Sequence, residues 1–391
     1  MDPHLYNATA SYHEVLASGP PSQPLEFPAP IFSEVTRVNA FVYNPDTDEE
    51  IIVPNIFYEV HSDGRAPSRA YWVGRKLKKA IYGCVCSCTV LKVREGRWAG
   101  PQGNSVWELT PILAAVKIID LNKVRDLQGK HKEDPLKEVA AMQFLSRDGG
   151  VPNVLPCWDL FRDEKYIYMC MPYCSSGELF GCVQRNGRFE EPIARYWFKQ
   201  LLNALIGLQK RGICHRDISL ENILIHENTH ALVIDLGMCL RVPYASPLGC
   251  NTACDCAAGT LRMPFVPQGQ CGKPNYISPE VLTNNIPFDG FAVDLWAAGV
   301  VLFIMLVGLP PFEWASFDDP RYRLICEGGL EQLVMQWKRP ISPLAIDLLQ
   351  SMLREHPQDR LSLFQVMNHP WVLQQTPFPL EALERLNSTD S

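Results

Sequence analysis

Residues 295–312 read LWAAGVVLFIMLVGLPPF, 18 in a row without a charged side chain. Such a run has two physical solutions, a membrane span or a helix buried on every side. Asp294 stands before it like an N-cap, and Gly308 with Pro310-Pro311 ends the helix early. At 1.5 Å per residue the helix then falls short of a hydrocarbon core of about 30 Å. The expectation is a buried helix inside a lobe large enough to hide it, with no membrane partner. A length of 391 residues, 47% hydrophobic and 20% charged, suffices for two or three such lobes.

With 36 Lys plus Arg against 43 Asp plus Glu, the formal net charge is −7, which argues against a nucleic-acid partner. Residues 1–30 hold six prolines, lack an apolar period, and have no basic run before an apolar stretch. They read as a mobile tail without a leader, which predicts a cytoplasmic or nuclear protein. There the 14 cysteines read as thiols, and the triads Asn7-Ala8-Thr9 and Asn387-Ser388-Thr389 as chance glycosylation matches.

Two alternating runs within residues 38–53 predict a hairpin in an N-terminal extension, 31–65. β patterns follow at 71–73, 84–93, 113–119 and 166–171, with a loop at 95–104. A helix is expected over 134–145, with Leu136, Val139, Ala140 and Phe144 on one face. From Pro192 to Gly212 apolar residues recur at three- and four-residue steps, and further helices are expected at 342–353 and 362–367. The order predicts an α+β, two-lobed chain: a small β lobe over 66–171, a helical lobe over 175–371, and a tail at 372–391.

Cys214-His215-Arg216-Asp217-Ile218-Ser219-Leu220-Glu221-Asn222, followed by Ile234-Asp235-Leu236-Gly237, resembles the catalytic loop and metal-binding motif of protein kinases. The resemblance implies the bilobal kinase fold and phosphoryl transfer from ATP with Mg²⁺ to Ser or Thr of protein substrates. It casts Asp217 as the base that takes the hydroxyl proton, and Asn222 and Asp235 as metal ligands. Lys117, on the strand 113–119, resembles the phosphate-gripping lysine, and Glu138 its carboxylate partner. By the same likeness Met171, Tyr173 and Cys174 form the hinge against adenine, Glu178 meets the ribose, and Gly83 and Val85 belong to the nucleotide-covering loop.

Residues 272–280, GKPNYISPE, resemble the end of an activation segment, so Glu280 should pair with Arg360. Asp294 should both cap its helix and hold the catalytic-loop backbone. The likeness covers roughly residues 70–371 and is nearest the Ser/Thr kinases, loosely the calcium/calmodulin-dependent group.

The chain departs from that pattern in places. Only the third glycine of Gly-x-Gly-x-x-Gly remains, as Gly83, with Lys78 and Ala80 in the first two places. Ser219 stands where such kinases carry Lys, and Lys273 where they carry Thr. An ammonium and a hydroxyl have exchanged positions, so Lys273 is expected to reach Asp217 from the opposite side as part of the catalytic set. No Ser, Thr or Tyr lies in residues 262–274, leaving Ser246, Thr252 and Thr260 as phosphate acceptors that Arg216 would receive. Cys250, Cys254 and Cys256 have poor zinc spacing. Glu178 and Glu221 favour a moderately basic substrate. A pseudokinase scaffold with weak or no transfer is the alternative reading; the oligomeric state is open.

Overall fold

A computed structural model describes residues 20–100, 103–127, 129–131, 133–245, 253–257 and 260–375. Both glycosylation-like triads, Ser246, Cys250, Thr252 and the outer parts of both expected tails lie outside the described residues. The chain divides into two compact units, one of residues 28–149 and 155–174, the other of residues up to 27, 150–154 and 175 onward.

In the first unit, seven strands form a closed barrel in the order β1-β2-β3-β4-β5-β7-β6. They are β1 (Ser33–Asn44), β2 (Glu49–Glu59), β3 (Ala70–Ala80), β4 (Gly83–Val93), β5 (Val106–Asp120), β6 (Asp159–Arg162) and β7 (Tyr166–Pro172). The hairpin expected within 38–53 is β1 and β2, joined across the turn after Asn44↔Glu49. The hairpin joins the barrel itself: β1 runs parallel to β5 at Phe41↔Val106 and to β6 at Ser33↔Phe161. Closure leaves no unpaired edge at these positions, which is the physical advantage of recruiting the extra hairpin.

Alternation along the strands separates two apolar clusters. Phe57 packs with Tyr71, Phe161 and Tyr168, ring centroids 5.2–5.9 Å away, among the buried Cys86, Cys88 and Cys170. The neighbouring positions Ile56 and Tyr58 point the other way, toward Val42, Leu91 and Trp107. Two helices complete the unit, α1 (Leu121–Leu127) and α2 (Pro135–Leu145). The Asp134 carboxylate caps α2 by accepting from the Leu136 and Lys137 amides. Of the expected inner face, Val139 and Ala140 are buried and Phe144 partly so, while Leu136 at the helix start is exposed and Pro135, Glu138 and Met142 turn inward.

Helices dominate the second unit: α3 (Leu179–Asn186), α4 (Glu191–Lys210), α5 (Pro279–Thr283), α6 (Gly290–Val307), α7 (Pro320–Cys326), α8 (Leu330–Gln336), α9 (Pro343–Met352), α10 (Leu363–Met367) and α11 (Pro370–Leu373). Short strands lie between α3 and α5: β8 (Ile213–Cys214), β9 (Ile223–His226), β10 (His230–Val233), β11 (Leu240–Arg241), β12 (Tyr244–Ala245), β13 (Ala253–Cys254) and β14 (Leu261–Arg262). All 18 residues of α6 are buried, as the uncharged run requires. Its cap, however, is Asp289, which accepts from the Phe291 amide at 3.1 Å. Asp294 lies more than a turn inside α6 and its carboxylate points away from the helix's own first amides.

Residues 20–27 also differ from a free tail. Ser22 bridges Phe265, and Leu25 bridges Arg241. An extended, Pro-containing segment pairs through its backbone, and such pairing leaves no apolar period to read.

Candidate active site

In the first unit, β5 aims Lys117 at α2. Its Nζ lies 2.6 and 2.5 Å from Glu138 Oε1 and Oε2, and the side chains are 21% and 10% exposed. A bidentate contact of this kind fixes the ammonium direction while compensating its partial desolvation. Val85 sits opposite Lys117 in the β4–β5 ladder. Gly83, Lys117 and Glu138 share the lining of a cavity of about 20 Å³ with Tyr82, Glu133 and Pro135.

Gly83 has a packing reason for being glycine: a Cβ there would lie 1.9 Å from the Ile118 carbonyl oxygen. We expect Gly83→Ala to destabilise the barrel by about 1–3 kcal/mol, seen as a lower urea midpoint with unchanged slope. The β3–β4 ladder shifts register between Lys76 and Lys78 and then runs to Ala80↔Gly83, so Lys78 and Ala80 occupy paired strand positions. Met171 is buried on β7 opposite Ala115, and Tyr173 and Cys174 follow half-buried. Burial pushes the Cys174 thiol up to about 12.

In the second unit, β8 delivers the chain into a loop held from α6. Asp294 Oδ2 accepts from the His215 amide at 2.7 Å and Oδ1 from the Arg216 amide at 2.8 Å. This is the holding role expected of Asp294 without the capping one. Two backbone amides anchor the residues just ahead of Asp217, and Arg216 takes the left-handed φ of 67° that the turn demands.

Burial raises the Asp294 carboxyl to about 6, against the opposing pull of His215 and Arg216. Its folded value lies above the unfolded one, so the stability it contributes is fully present below about 3.8 and is lost as pH rises through about 6. Asp294→Asn cannot titrate. The stability difference between wild type and variant should therefore move against wild type by an amount on the order of 3 kcal/mol across that window, read from denaturant curves at each pH.

Asp217 sits at the centre of the loop. Its Oδ2 accepts from Asn222 Nδ2 at 2.7 Å and from Lys273 Nζ at 3.3 Å. Lys273 Nζ also donates to Ser219 Oγ at 2.8 Å, so the exchanged ammonium and hydroxyl do meet beside the carboxylate. Asp217 Oδ1, in contrast, is buried without a hydrogen-bond partner. It faces Gly272, whose absent Cβ would come within 3.7 Å of it and 3.1 Å of the Arg216 carbonyl, at a φ of 89°. Asp217, Gly272, Arg216 and Ser278 line a cavity of about 10 Å³, into whose walls the partnerless Arg216 Nε and Ser278 Oγ are also buried. Buried polar atoms left unsatisfied are uncommon and call for a functional or solvent partner.

The β9–β10 hairpin brings Asn222 back to Asp235. The Ile234 amide donates to the Asn222 carbonyl at 2.9 Å, and Asp235 adopts a left-handed φ of 68° with Oδ1 accepting from the Gly237 amide. Leu236 is fully buried and anchors this turn in the apolar interior. Glu178 precedes α3 and bridges Leu224 near this hairpin. Farther out, Arg360 pairs with Glu280 at 2.8 and 2.7 Å, both nearly inaccessible. Glu221 accepts from Tyr276 Oη at 3.3 Å.

Thr260 is buried and its hydroxyl donates to Ala257 O at 2.8 Å, so it is not presented for modification in this arrangement. Among the described residues, no three His, Cys, Asp or Glu side chains gather to hold a metal. The residue that sequence reasoning passed over is Gly272: adjacent to the singled-out Lys273, its glycine identity was the available signal.

Residues 106–372 match the protein kinase domain family. The match starts at the first residue of β5, so β1–β4 lie outside it. The serine/threonine-protein kinase DCLK3 of Mus musculus is 33% identical over 264 residues, 66% of this chain and 29% of that protein. CBL-interacting protein kinase 9 of Oryza sativa subsp. japonica is 31% identical over 262 residues, 66% of this chain and 50% of that protein. CBL-interacting serine/threonine-protein kinase 15 of Arabidopsis thaliana is 31% identical over 257 residues, 66% of this chain and 54% of that protein. The chain thus spans about a third to a half of the length of these relatives. A family match over well more than half of its residues, joined to relatives that are protein kinases by name, two of these three serine/threonine-protein kinases, means that this chain belongs to the protein kinase family, in its eukaryotic serine/threonine class.

Proposed function

We propose that the protein transfers phosphate from ATP to Ser or Thr of protein substrates. Protein kinases use ATP and typically a divalent metal. The observation that carries the reading is the two-sided state of Asp217: Oδ2 is held by Asn222 and Lys273, while Oδ1 has no partner. A carboxylate oriented through one oxygen and uncompensated at the other suits a base that accepts a hydroxyl proton.

The donor set also fits Mg²⁺. Asn222 commits its amide nitrogen to Asp217, which leaves the amide oxygen as the atom to join the Asp235 carboxylate, and hard oxygens are what this cation takes. Bound Mg-ATP would supply the phosphoryl group and neutralise its charge. Lys117, steadied by Glu138, would hold phosphate oxygens, with Gly83, Val85, Met171, Tyr173, Cys174 and Glu178 serving the rest of the nucleotide. Lys273 places its ammonium beside Asp217 from the activation segment, and Ser219 accepts a hydrogen bond from it. The 14 cysteines of the sequence, read as thiols, are the ground for proposing a cytoplasmic or nuclear setting.

One observation favours the scaffold reading: the β3–β4 pairing of Lys78 and Ala80 keeps side chains where glycines would let backbone amides approach phosphate. The deciding experiment is Mg²⁺-dependent transfer from ATP to a degenerate Ser/Thr/Tyr peptide library. Incorporation at Ser and Thr supports the kinase, whereas background incorporation by folded protein supports the scaffold.

A further inference from the structure

We propose that residues 22–27 form a strap that holds the two limbs of the activation segment together in the place of a phosphate on that segment. The Leu25 amide donates to the Arg241 carbonyl at 3.1 Å, on the upstream limb. The Arg241 guanidinium returns a hydrogen bond to the Glu26 carbonyl and lies 6.0 Å from the Phe27 ring centroid. On the downstream limb, the Ser22 amide donates to the Pro264 carbonyl at 2.9 Å and the Ser22 carbonyl accepts from the Val266 amide at 3.1 Å. Gln268 Nε2 adds a bond to Gln23 Oε1 at 3.1 Å. One extended segment therefore acts as an added strand across two pieces of chain that are distant in sequence.

Both limbs lead into the catalytic residues. β11 pairs with β8 at Leu240↔Cys214, and the residue after Cys214 opens the loop to Asp217. The downstream limb is pinned by mutual Phe265–Phe288 backbone bonds of 2.8 and 3.0 Å, then runs through Gly272 to Lys273. Displacing it would withdraw the ammonium from Asp217. The phosphate route is meanwhile closed along this limb: residues 262–274 contain no Ser, Thr or Tyr, and Thr260 is buried. Arg216, the side chain that would receive a phosphate, instead donates to the Gly269 carbonyl at 3.0 Å. Gly269 is itself tied through its amide to Asn284 Oδ1 at 2.8 Å.

The activity arm of the test rests on the kinase reading, and the exchange arm does not. The full chain is compared with a Ser22→Pro/Leu25→Pro variant, which removes both donor amides, and with Glu26→Ala as control, since Glu26 contributes only its carbonyl. After phosphatase treatment, wild type and control should keep peptide turnover within about twofold, while the proline variant loses about tenfold or more. In the same variant, amides of residues 240–245 and 261–273 should exchange about tenfold faster or more, with β1–β7 unchanged. Loss of wild-type turnover on phosphatase treatment, or unchanged exchange in the proline variant, overturns the strap. If no version turns peptide over, the kinase reading fails and exchange alone decides the strap. Should the proline variant not fold, the Leu25 and Val266 amides of the unmodified chain decide: protection supports the strap, and exchange at unstructured-chain rates overturns it.

Discussion

Asp217→Asn is expected to lower the turnover of Ser/Thr peptides by about 10²–10⁴-fold while leaving the fold and nucleotide affinity close to wild type. The asymmetry of the carboxylate makes this a clean substitution. Only Oδ2 accepts hydrogen bonds, from Asn222 and Lys273, so an asparagine can keep that role with its amide oxygen. Its NH₂ then takes the place of the partnerless Oδ1, where it cannot accept a proton. Steady-state kinetics with a calorimetric nucleotide titration and a thermal melt check all three expectations. Turnover within about tenfold of wild type would remove Asp217 from the chemistry.

The second large effect concerns where the ammonium beside Asp217 is anchored. Lys273→Thr removes the cation that lies 3.3 Å from Asp217 Oδ2, and Ser219→Lys adds a second cation at a fully buried site already facing the first. Each single change is expected to cost about 2.7–4 kcal/mol of transition-state stabilisation, or roughly a hundredfold in turnover. The double variant restores one ammonium and one hydroxyl in the opposite arrangement and should recover most of the loss. The four proteins form a double-mutant cycle whose coupling energy reads the exchange directly. Simple additivity of the two losses would mean that Lys273 is a loop lysine that happens to lie near Asp217.

Much of the site was legible because its chemistry is carried by residue types at short, ordered spacings. The stretch from His215 to Asn222 and the tetrapeptide around Asp235 announce a carboxylate, an amide and a second carboxylate before any fold is known. The Lys273–Ser219 contact was legible too, as an exchange of side chains between two motifs. The long helices α4 and α6 declared themselves by period and by an uncharged run, since each is stabilised mainly by burial of its own apolar residues.

Other features depend on partners far away in the chain. Strands of two residues such as β8 and β11 carry too few positions to show a period, and they exist because Leu240 meets Cys214. The short helices α1, α3, α7 and α8 fall below the length at which an apolar stripe becomes distinctive. Asp294 illustrates how local and distant forces compete. Adjacent to an apolar run, it reads as a cap, yet Asp289 caps α6 and Asp294 is spent on the His215 and Arg216 amides.

The sequence by itself determined the family and the α+β class, and singled out the carboxylate and amide side chains proposed for acid–base and metal-binding work, because those follow from local composition, period and motif order. The tertiary structure alone decided that residues 31–65 close a barrel, that residues 20–27 are strapped to the activation segment, and that one oxygen of Asp217 is held while the other is left free. These are matters of backbone pairing and burial between distant segments, and backbone hydrogen bonds are common to every residue type, so they leave little imprint on the order of side chains.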